Sequence, residues 1–409
     1  MFRHWLFYII SICLVLTQTF PPINLFFPFG EAIKFIAFVV ISLVLFPSLL
    51  TRRSVAALLV YGVMVFVYYL MGNAFFDTIN SVVTVIPVML SGLLIAEYAL
   101  KYDKEYKYSK ITIITVLLCN VIMCILTIPQ IMLNPNIVRT SSREDYTDLT
   151  LFYWIIQYTT VHGLPILFAP LTFFCRRSFH KNKFLFSLLL FVILLLFYVV
   201  FKSNAATAFL MSAIMIIVGY LFNNEIINKK LVIRLIAVGL FGLLIMQPFV
   251  MEPILNTVQS YMDPSGASYY RIEDIKNSIV YGDVDGDLGT RQDLYSSSFD
   301  LFLSSPLWGT SSPQFVSRHT WIIDRLAVFG LLFIIPLVLV FVSIFKSVYP
   351  TLRHTKVIYI CGFSCLVLML FLKNDFGQGT WLYGFGYLPL LCRYIDYVDE
   401  NNKLRQVRP

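Results

Sequence analysis

Long apolar runs recur along the chain, and they constrain its fold more than any other feature. Because about 20 residues of helix cross the hydrocarbon core of a bilayer, runs of roughly 17–25 apolar residues predict membrane-spanning helices. About twelve such runs are present, at 5–20, 33–50, 55–71, 79–99, 111–133, 151–174, 184–201, 205–222, 231–250, 321–345, 357–373 and 381–397. With 58% hydrophobic and only 13% charged residues, the chain lies outside the range of soluble domains. The sequence therefore predicts an all-α, polytopic integral membrane bundle.

The first apolar run has two interpretations. Arg3 and His4 precede its apolar core, as basic residues precede the core of a secretory signal peptide. The sequence TQTFPP that follows lacks a cleavage site of small residues, and further apolar runs come directly after it. We therefore predict that the run is a retained membrane anchor.

Positive charge is distributed unevenly between the two sets of connections. If both termini are cytoplasmic, about two thirds of the 31 lysines and arginines fall in inner loops and tails, as the positive-inside rule expects. The sequence thus predicts a multi-pass protein with both termini in the cytoplasm. The net charge of +8 requires no nucleic-acid partner, because the excess on the inner face accounts for it.

The predicted spans fall into three segments of the chain. Residues 1–250 hold the first nine spans, residues 251–320 form a long external loop, and residues 321–409 hold the last three spans and a cytoplasmic tail. A loop of about seventy residues is uncommon unless it is functional, and this one is long enough to cover a cavity. Within it, Arg291 to Leu303 predicts a short amphipathic helix.

Metal sites and disulfides have little support. The seven cysteines fall in spans or on the inner side, and none is spaced from a histidine like a metal ligand. Asp283, Asp285 and Asp287 alternate like the first ligands of a calcium loop. Leu288 stands where the turn glycine belongs, however, and Leu294 where a bidentate glutamate would close the shell. A solvated turn is the favoured interpretation, so neither a metal nor a cofactor is predicted.

Several polar residues near the outer ends of spans have both a structural and a functional interpretation. Lys202 either snorkels to the interface or faces an anionic headgroup inside the bundle. His162 is favoured as a hydrogen-bonded core histidine, with a cavity-lining role as the alternative. Arg139 and Arg143, in a shorter outer segment, are further cations on that face.

Residues 291–330 combine several features in a fixed order. They include an arginine, an amphipathic stretch, the sequence PLWG, an outer-facing histidine and the sequence DRLAVFGLL, which enters the membrane. This order resembles the shared signature of the bacterial O-antigen polymerase and O-antigen ligase superfamily. The positions that correspond to the family's arginine, loop glycine, histidine and span glycine are Arg291, Gly309, His319 and Gly330.

The chain departs from the family pattern at several positions. Thr290 replaces the glycine before the arginine, Ser311 the second loop glycine, and Thr320 the asparagine after the histidine. The arginine that the family carries in a short outer turn after the seventh or eighth span is also missing. Lys202 lies nearby and is the candidate substitute.

The resemblance implies a GT-C-like membrane enzyme that moves a glycan from an undecaprenyl diphosphate carrier to an acceptor hydroxyl. The implied place is the outer face of the bacterial cytoplasmic membrane. Its partners would be lipid-linked repeat units and membrane lipid, with a chain-length regulator and a flippase of the same pathway as further candidates. The favoured activity is a polymerase for O-antigen or capsule. The alternatives are an O-antigen ligase, with a lipid A-core acceptor, and a lipid-linked oligosaccharide flippase.

The same resemblance, with the chemistry of a diphosphate, suggests roles for individual residues. An arginine fork binds phosphate oxygens bidentately and keeps its proton. Arg291 is the first candidate to bind the diphosphate, and the further candidates are Arg318, Arg325, Arg139, Arg143 and Lys202. His319 is the candidate general base for the acceptor hydroxyl, with a helix-end role as the alternative. Helical spacing predicts that Arg318 and Arg325 share a face with Trp321 or Ile322, and that His319 is turned about 100° away.

Overall fold

A computed structural model describes most of the chain. The residues it describes are 2–25, 30–70, 85–134, 137–140, 154–203, 205–222, 248–261, 269–270, 272–273, 276–277, 287–310, 320–372 and 378–407. Within these ranges every regular element is a helix. The predicted all-α class is therefore confirmed.

Most helices coincide with the predicted apolar runs. In chain order they are α1 (Phe2–Thr19), α2 (Glu31–Leu45), α3 (Arg53–Leu70), α4 (Ile86–Tyr102), α5 (Lys107–Leu133), α6 (Pro165–Ser178), α7 (Lys183–Lys202), α8 (Ala206–Leu221), α9 (Pro248–Ser260), α10 (Asp287–Ser304), α11 (Trp321–Val348), α12 (Lys356–Leu372) and α13 (Leu388–Val407). Short helical turns lie at Pro21–Leu25, Pro47–Leu49, Ile137–Thr140, Tyr158–Gly163, Tyr349–Thr351, Gln378–Trp381 and Leu382–Tyr387.

Several of these helices suit a membrane. Among the described residues, four are long and apolar enough to cross it: Phe2–Thr19, Lys107–Leu133, Lys183–Lys202 and Ile334–Thr351. Shorter apolar helices lie at Ala32–Leu45, Arg53–Phe66, Thr207–Leu221 and Lys356–Leu372. These helices support an integral membrane protein, while the number of about twelve spans and the external loop stay predictions. The predicted run at 231–250 lies almost wholly outside the described residues.

The chain folds as two compact units. Unit 1 comprises Met1–Glu225 and Leu331–Pro409, and unit 2 comprises Ile226–Gly330. The second boundary falls inside α11, where Gly330 leaves the helical conformation with φ 67° and ψ −175°. The segment limits at 250 and 320 that the sequence suggested stay predictions.

Helix α4 is at the centre of unit 1. Every residue from Ile86 to Ala99 is buried, and the helix packs against the turn Leu382–Tyr387. Gly92 permits this close approach, because a Cβ there would lie only 3.1 Å from the Cβ of Phe385. Helix contacts through small residues are typical of packing within membranes.

Charged residues gather in one region of unit 1, which we call the ion-paired end. Its ion pairs join Arg52 to Glu97, Arg177 and Lys181 to Asp399, and Arg353 to Glu400. All of these residues lie in or beside connections that the positive-inside rule assigns to the inner face. Their convergence agrees with the alternating topology, whereas the side of the membrane that this end faces stays a prediction.

Backbone groups join the same connections. The carboxylate of Asp396 accepts hydrogen bonds from the backbone N–H groups of Arg353 and His354, at 2.6 and 3.0 Å. Arg393 donates from Nη2 to the backbone carbonyl of Asp103 at 3.4 Å. The start of α12 and the end of α4 are thereby both held to α13.

The last helix of the chain extends beyond the last apolar run. The last apolar run ends near residue 397, and α13 continues as a helix to Val407, while the cytoplasmic position of this tail stays a prediction. Asp399 lies in this extension, is only 4% exposed, and pairs with Arg177 and Lys181. These ion pairs, to the end of α6 and to the α6–α7 connection, thus stabilise the part of α13 that extends beyond the apolar run.

Candidate functional site

The candidate site lies in unit 2, where α10 leads through a turn to the start of α11. We call Thr320–Arg325 the mouth of α11. The helix predicted from Arg291 to Leu303 is confirmed, and α10 extends it to Asp287–Ser304, while its amphipathic character stays a prediction. On α10, Phe299 and Leu303 are 49% and 56% exposed. They give this helix an apolar surface suited to a membrane interface.

The turn after α10 packs against α11 through two glycines. Gly309 and Gly330 have φ values of 81° and 67°, in the left-handed region that other residues rarely adopt. A Cβ on Gly309 would lie 2.0 Å from the carbonyl oxygen of Val328, and one on Gly330 would lie 2.4 Å from that of Leu307. Only glycine therefore avoids both the conformational cost and the clash. The loop glycine and the span glycine of the motif thus meet in one backbone contact.

A hydrogen bond accompanies this contact. The backbone N–H of Thr310 donates to the carbonyl of Ala327 at 2.7 Å. In a continuous helix that carbonyl would accept from the residue four positions later, but Gly330 interrupts the helix. The turn after α10 thereby provides a donor to the last helical turn before the break.

A buried carboxylate holds the mouth of α11. Asp324 is 6% exposed and accepts hydrogen bonds from Ser298 Oγ at 2.9 Å and from the backbone N–H of Thr320 at 3.0 Å. Ser298 belongs to α10, so the carboxylate ties α10 to α11. The bond to Thr320 resembles the acidic half of a capping box at a helix start. Sequence reasoning did not assign this role, although an acidic residue in the first turn of an apolar helix was a signal for it.

Arg325 is a predicted site cation whose side chain the structure describes. Its guanidinium lies over the rings of Trp321 and Phe329, at 5.7 and 5.6 Å from the ring centroids. The predicted shared face of Trp321 and Arg325 is therefore observed. Among the described residues, no carboxylate forms an ion pair with Arg325. Cation–π contacts thus order the guanidinium without neutralising its charge.

Five predicted site residues of the two units are less completely described. The side chains outside the described part are those of Arg291, Arg318, His319, Arg139 and Arg143. The backbone of Arg291 lies in α10, and that of Arg139 in the helical turn Ile137–Thr140. Because α11 begins at Trp321, the helical separation predicted between Arg318 and His319 stays a prediction.

Two further candidates lie in unit 1. Lys202 is exposed at the end of α7, with Nζ 5.7 Å from the ring centroid of Phe201. His162 is 2% exposed, and its Nδ1 lies 2.9 Å from the carbonyl oxygen of Tyr158. This geometry agrees with the favoured interpretation of His162 as a core histidine.

A metal centre was weighed from the sequence as well. Within the part of the chain that the structure describes, no group of three or more His, Cys, Asp or Glu residues could hold a metal ion. Asp283 and Asp285 lie outside that part. The calcium alternative for this stretch is therefore not tested.

Comparison with known families bears on the same region. Residues 188–324 match a family model described as O-antigen ligase. The matched residues run from α7 to the mouth of α11, and they confirm the resemblance to the O-antigen polymerase and ligase superfamily that the ordered motifs indicated. The match supports the processing of lipid-linked glycans in a membrane and does not distinguish a polymerase from a ligase. No match was found to a curated protein or to a solved structure.

Proposed function

We propose that this chain, in which residues 188–324 match the O-antigen ligase family, is a polysaccharide polymerase of the bacterial cytoplasmic membrane. It transfers a growing glycan from undecaprenyl diphosphate onto the next lipid-linked repeat unit of an O-antigen or capsule, at the outer face. The observation that carries the proposal is the environment of the Arg325 side chain. This cation is ordered by two aromatic rings at the start of an apolar helix, and it has no ion pair among the described residues.

An arginine in this position suits an anionic ligand. A cation within a membrane-spanning segment costs about 2.5–3.5 kcal/mol on insertion scales when it lies at mid-depth, and less towards the surface. A diphosphate headgroup offsets that cost, because it places several negative charges at the membrane surface. The guanidinium also offers a planar set of donors that matches phosphate oxygens.

The proposed reaction is a glycosyl transfer with a diphosphate leaving group. The acceptor hydroxyl of the next repeat unit attacks the anomeric carbon of the growing chain, and His319 takes the proton of that hydroxyl. As the new C–O bond forms, the bond from the anomeric carbon to the diphosphate breaks. Its electron pair leaves with undecaprenyl diphosphate. Arg291, Arg318 and Arg325 bind the departing oxygens, and stabilising their charge lowers the barrier.

The fixed geometry of the mouth of α11 supports this assignment. His319 directly precedes Thr320, whose N–H donates to Asp324, and Asp324 is held in turn by Ser298 of α10. The contact between Gly309 and Gly330 holds the turn after α10 against the same helix. A catalytic group gains rate only if the surrounding structure limits its freedom. The bond between Asp324 and Thr320 provides such a limit at the residue that follows His319 in the sequence.

An O-antigen ligase is the second candidate, because the matching family model carries that description. The two reactions use the same donor and differ in the acceptor. A polymerase adds the glycan to another lipid-linked repeat unit, whereas a ligase adds it to lipid A-core. A chain-length regulator and a flippase are the expected partners of the polymerase.

The choice of acceptor tests both activities in one experiment. The purified chain in proteoliposomes receives lipid-linked repeat units, either alone or together with lipid A-core. A polymerase converts repeat units alone into a ladder of products, while a ligase yields product only when lipid A-core is present. Proteoliposomes without the chain are the control for spontaneous transfer. Absence of both products from correctly folded protein would contradict the proposed function.

A further inference from the structure

A pocket lies in unit 1 where α1 begins and where α2 and α4 end. It has a volume of about 580 Å³, which is within the range of small-molecule sites. Its lining includes Phe2, Arg3 and His4 of α1, Leu45 of α2, Ser48 of the turn Pro47–Leu49 and Tyr102 of α4. Charged, hydroxyl and apolar groups therefore meet in one pocket.

Positive charge dominates the surroundings of this pocket. Arg3 is exposed, and the ion pairs among the described residues do not involve it. Lys101 lies beside the pocket, with Nζ 3.5 Å from the carbonyl oxygen of Ser48 and 5.4 Å from the ring centroid of Tyr102. None of the described residues that line the pocket is acidic. The pocket is therefore complementary in charge to an anionic ligand.

Neutral side chains add hydrogen-bond donors to the pocket. The hydroxyl oxygens of Ser48 and Tyr102 lie 2.7 Å apart, so one hydroxyl hydrogen is used in their mutual bond and the other can be donated to a ligand. His4 Nδ1 lies 2.7 Å from the hydroxyl of Tyr98, which leaves Nε2 as the ring nitrogen for a ligand. Together with the guanidinium of Arg3, these groups suit the several acceptor oxygens of a phosphate.

The position of the pocket favours a lipid headgroup over a soluble phosphate compound. Both α1 and α2 are apolar helices, and the pocket lies at the start of one and the end of the other, where a span meets the membrane surface. Trp5 is 62% exposed near the same end of α1, and tryptophan is enriched at membrane interfaces. Ile9 and Val40 are exposed further along the two helices. Acyl chains can lie against this apolar surface while the headgroup occupies the pocket.

We propose that this pocket binds the headgroup of an anionic phospholipid, with the phosphate on Arg3 and the acyl chains along α1 and α2. The phosphate oxygens accept hydrogen bonds from the guanidinium, from His4 Nε2 and from the hydroxyl pair of Ser48 and Tyr102. A soluble phosphate can use the same donors, but a membrane lipid presents its phosphate at this depth. The pocket belongs to unit 1 and is distinct from the donor site proposed at the mouth of α11.

Lipid retention by the full chain tests the role of Arg3. Native mass spectrometry of the chain in detergent with dioleoyl phosphatidylglycerol should show one lipid that is retained more tightly than the others. Arg3→Gln should weaken its apparent affinity roughly tenfold, whereas Arg3→Lys, which keeps the charge, should retain most of it. Arg53→Gln is the matched control, because Arg53 is exposed at the start of α3 and does not line the pocket. Unchanged affinity in Arg3→Gln, or an equal loss in Arg53→Gln, would overturn the proposal.

Two further ligands separate the phosphate from the acyl chains. Dioleoylglycerol, which lacks the phosphate, should bind equally weakly to the wild type and to Arg3→Gln. Glycerophosphoglycerol, which is the headgroup without acyl chains, should displace the retained lipid only at a large excess. Displacement at a concentration equal to that of the lipid would indicate a site for soluble phosphates and would overturn the lipid assignment.

A second pair of variants tests the pocket itself. Ser48→Phe places a ring in the pocket and should abolish the retained lipid. Leu50→Phe is the matched control, because Leu50 is exposed in the same connection and does not line the pocket. Unchanged elution on size-exclusion chromatography verifies the fold of each variant. Retention at the wild-type level in folded Ser48→Phe would overturn the proposal, and the Arg3 variants decide it if Ser48→Phe does not fold.

Discussion

The ion-paired end of unit 1 and the mouth of α11 in unit 2 hold their arginines in opposite ways. At the ion-paired end, Arg177 and Arg353 bind the carboxylates of Asp399 and Glu400. At the mouth of α11, Arg325 lies over two aromatic rings and has no ion pair among the described residues. The paired arginines join separate parts of unit 1, whereas the stacked Arg325 is the one that we propose binds the donor.

The carboxylates of the two regions differ in the same way. Asp399 forms ion pairs with Arg177 and Lys181, both of which lie in other parts of unit 1. Asp324 instead accepts from the hydroxyl of Ser298 and the N–H of Thr320. Through these two uncharged donors, Asp324 joins α10 to the mouth of α11.

Removal of the proposed base should produce the largest effect. His319→Ala should leave donor binding nearly unchanged and lower turnover by about 10²–10⁴-fold, the usual contribution of a general base. His180→Ala is the matched control, because His180 is exposed in the α6–α7 connection beside the ion-paired end, and it should retain full activity. Polymer formation from purified lipid-linked repeat units measures both variants, with protein level measured alongside.

The same assay separates His319 from Arg291. Arg291→Ala should weaken donor binding and slow transfer together, and Arg291→Lys should restore only part of the activity, because an ammonium lacks the bidentate fork. A wild-type rate for His319→Ala would remove this histidine from the chemistry. The functional contrast between the mouth of α11 and the ion-paired end would then depend on their arginines alone.

Loss of a glycine at the backbone contact should produce the next largest effect. Gly330→Ala adds a methyl group 2.4 Å from the carbonyl oxygen of Leu307 at a positive φ, so the free energy of unfolding should fall by roughly 3 kcal/mol. Gly379→Ala is the control, since its nearest neighbour would be 3.5 Å away and its φ is not positive. Thermal unfolding in detergent measures the difference. Equal melting temperatures for the two variants would contradict the tight contact.

Removal of the stacked cation should produce the smallest of these effects. Arg325→Gln should raise the KM for the lipid-linked donor about tenfold, the size expected for a lost hydrogen bond to a charged group. Arg353→Gln removes an arginine whose side chain is 73% exposed and paired with Glu400. It should leave the donor KM unchanged and cost at most about 1 kcal/mol of stability. A similar KM for both variants would mean that stacking at Arg325 has no role in donor binding.

Several parts of the fold could be predicted from the sequence, because they depend on neighbouring residues. The helices α5 and α7 follow from apolar runs, and α10 follows from the amphipathic pattern of residues 291–303. The helical extension after residue 397 could not be predicted in this way. Its charged residues resemble a solvated tail until Asp399 meets Arg177, and that meeting depends on how distant helices pack.

In the candidate site, too, some features could be predicted from the sequence and others could not. The sequence by itself determined the order of the motif residues and a face that Arg325 shares with Trp321 or Ile322, because motif order and helical periodicity are local properties. Only the tertiary structure decided that Gly309 packs against Gly330 and that Asp324 binds Ser298. The residues in each of these pairs are separated along the chain, and their contact arises when the turn after α10 brings that helix against the start of α11.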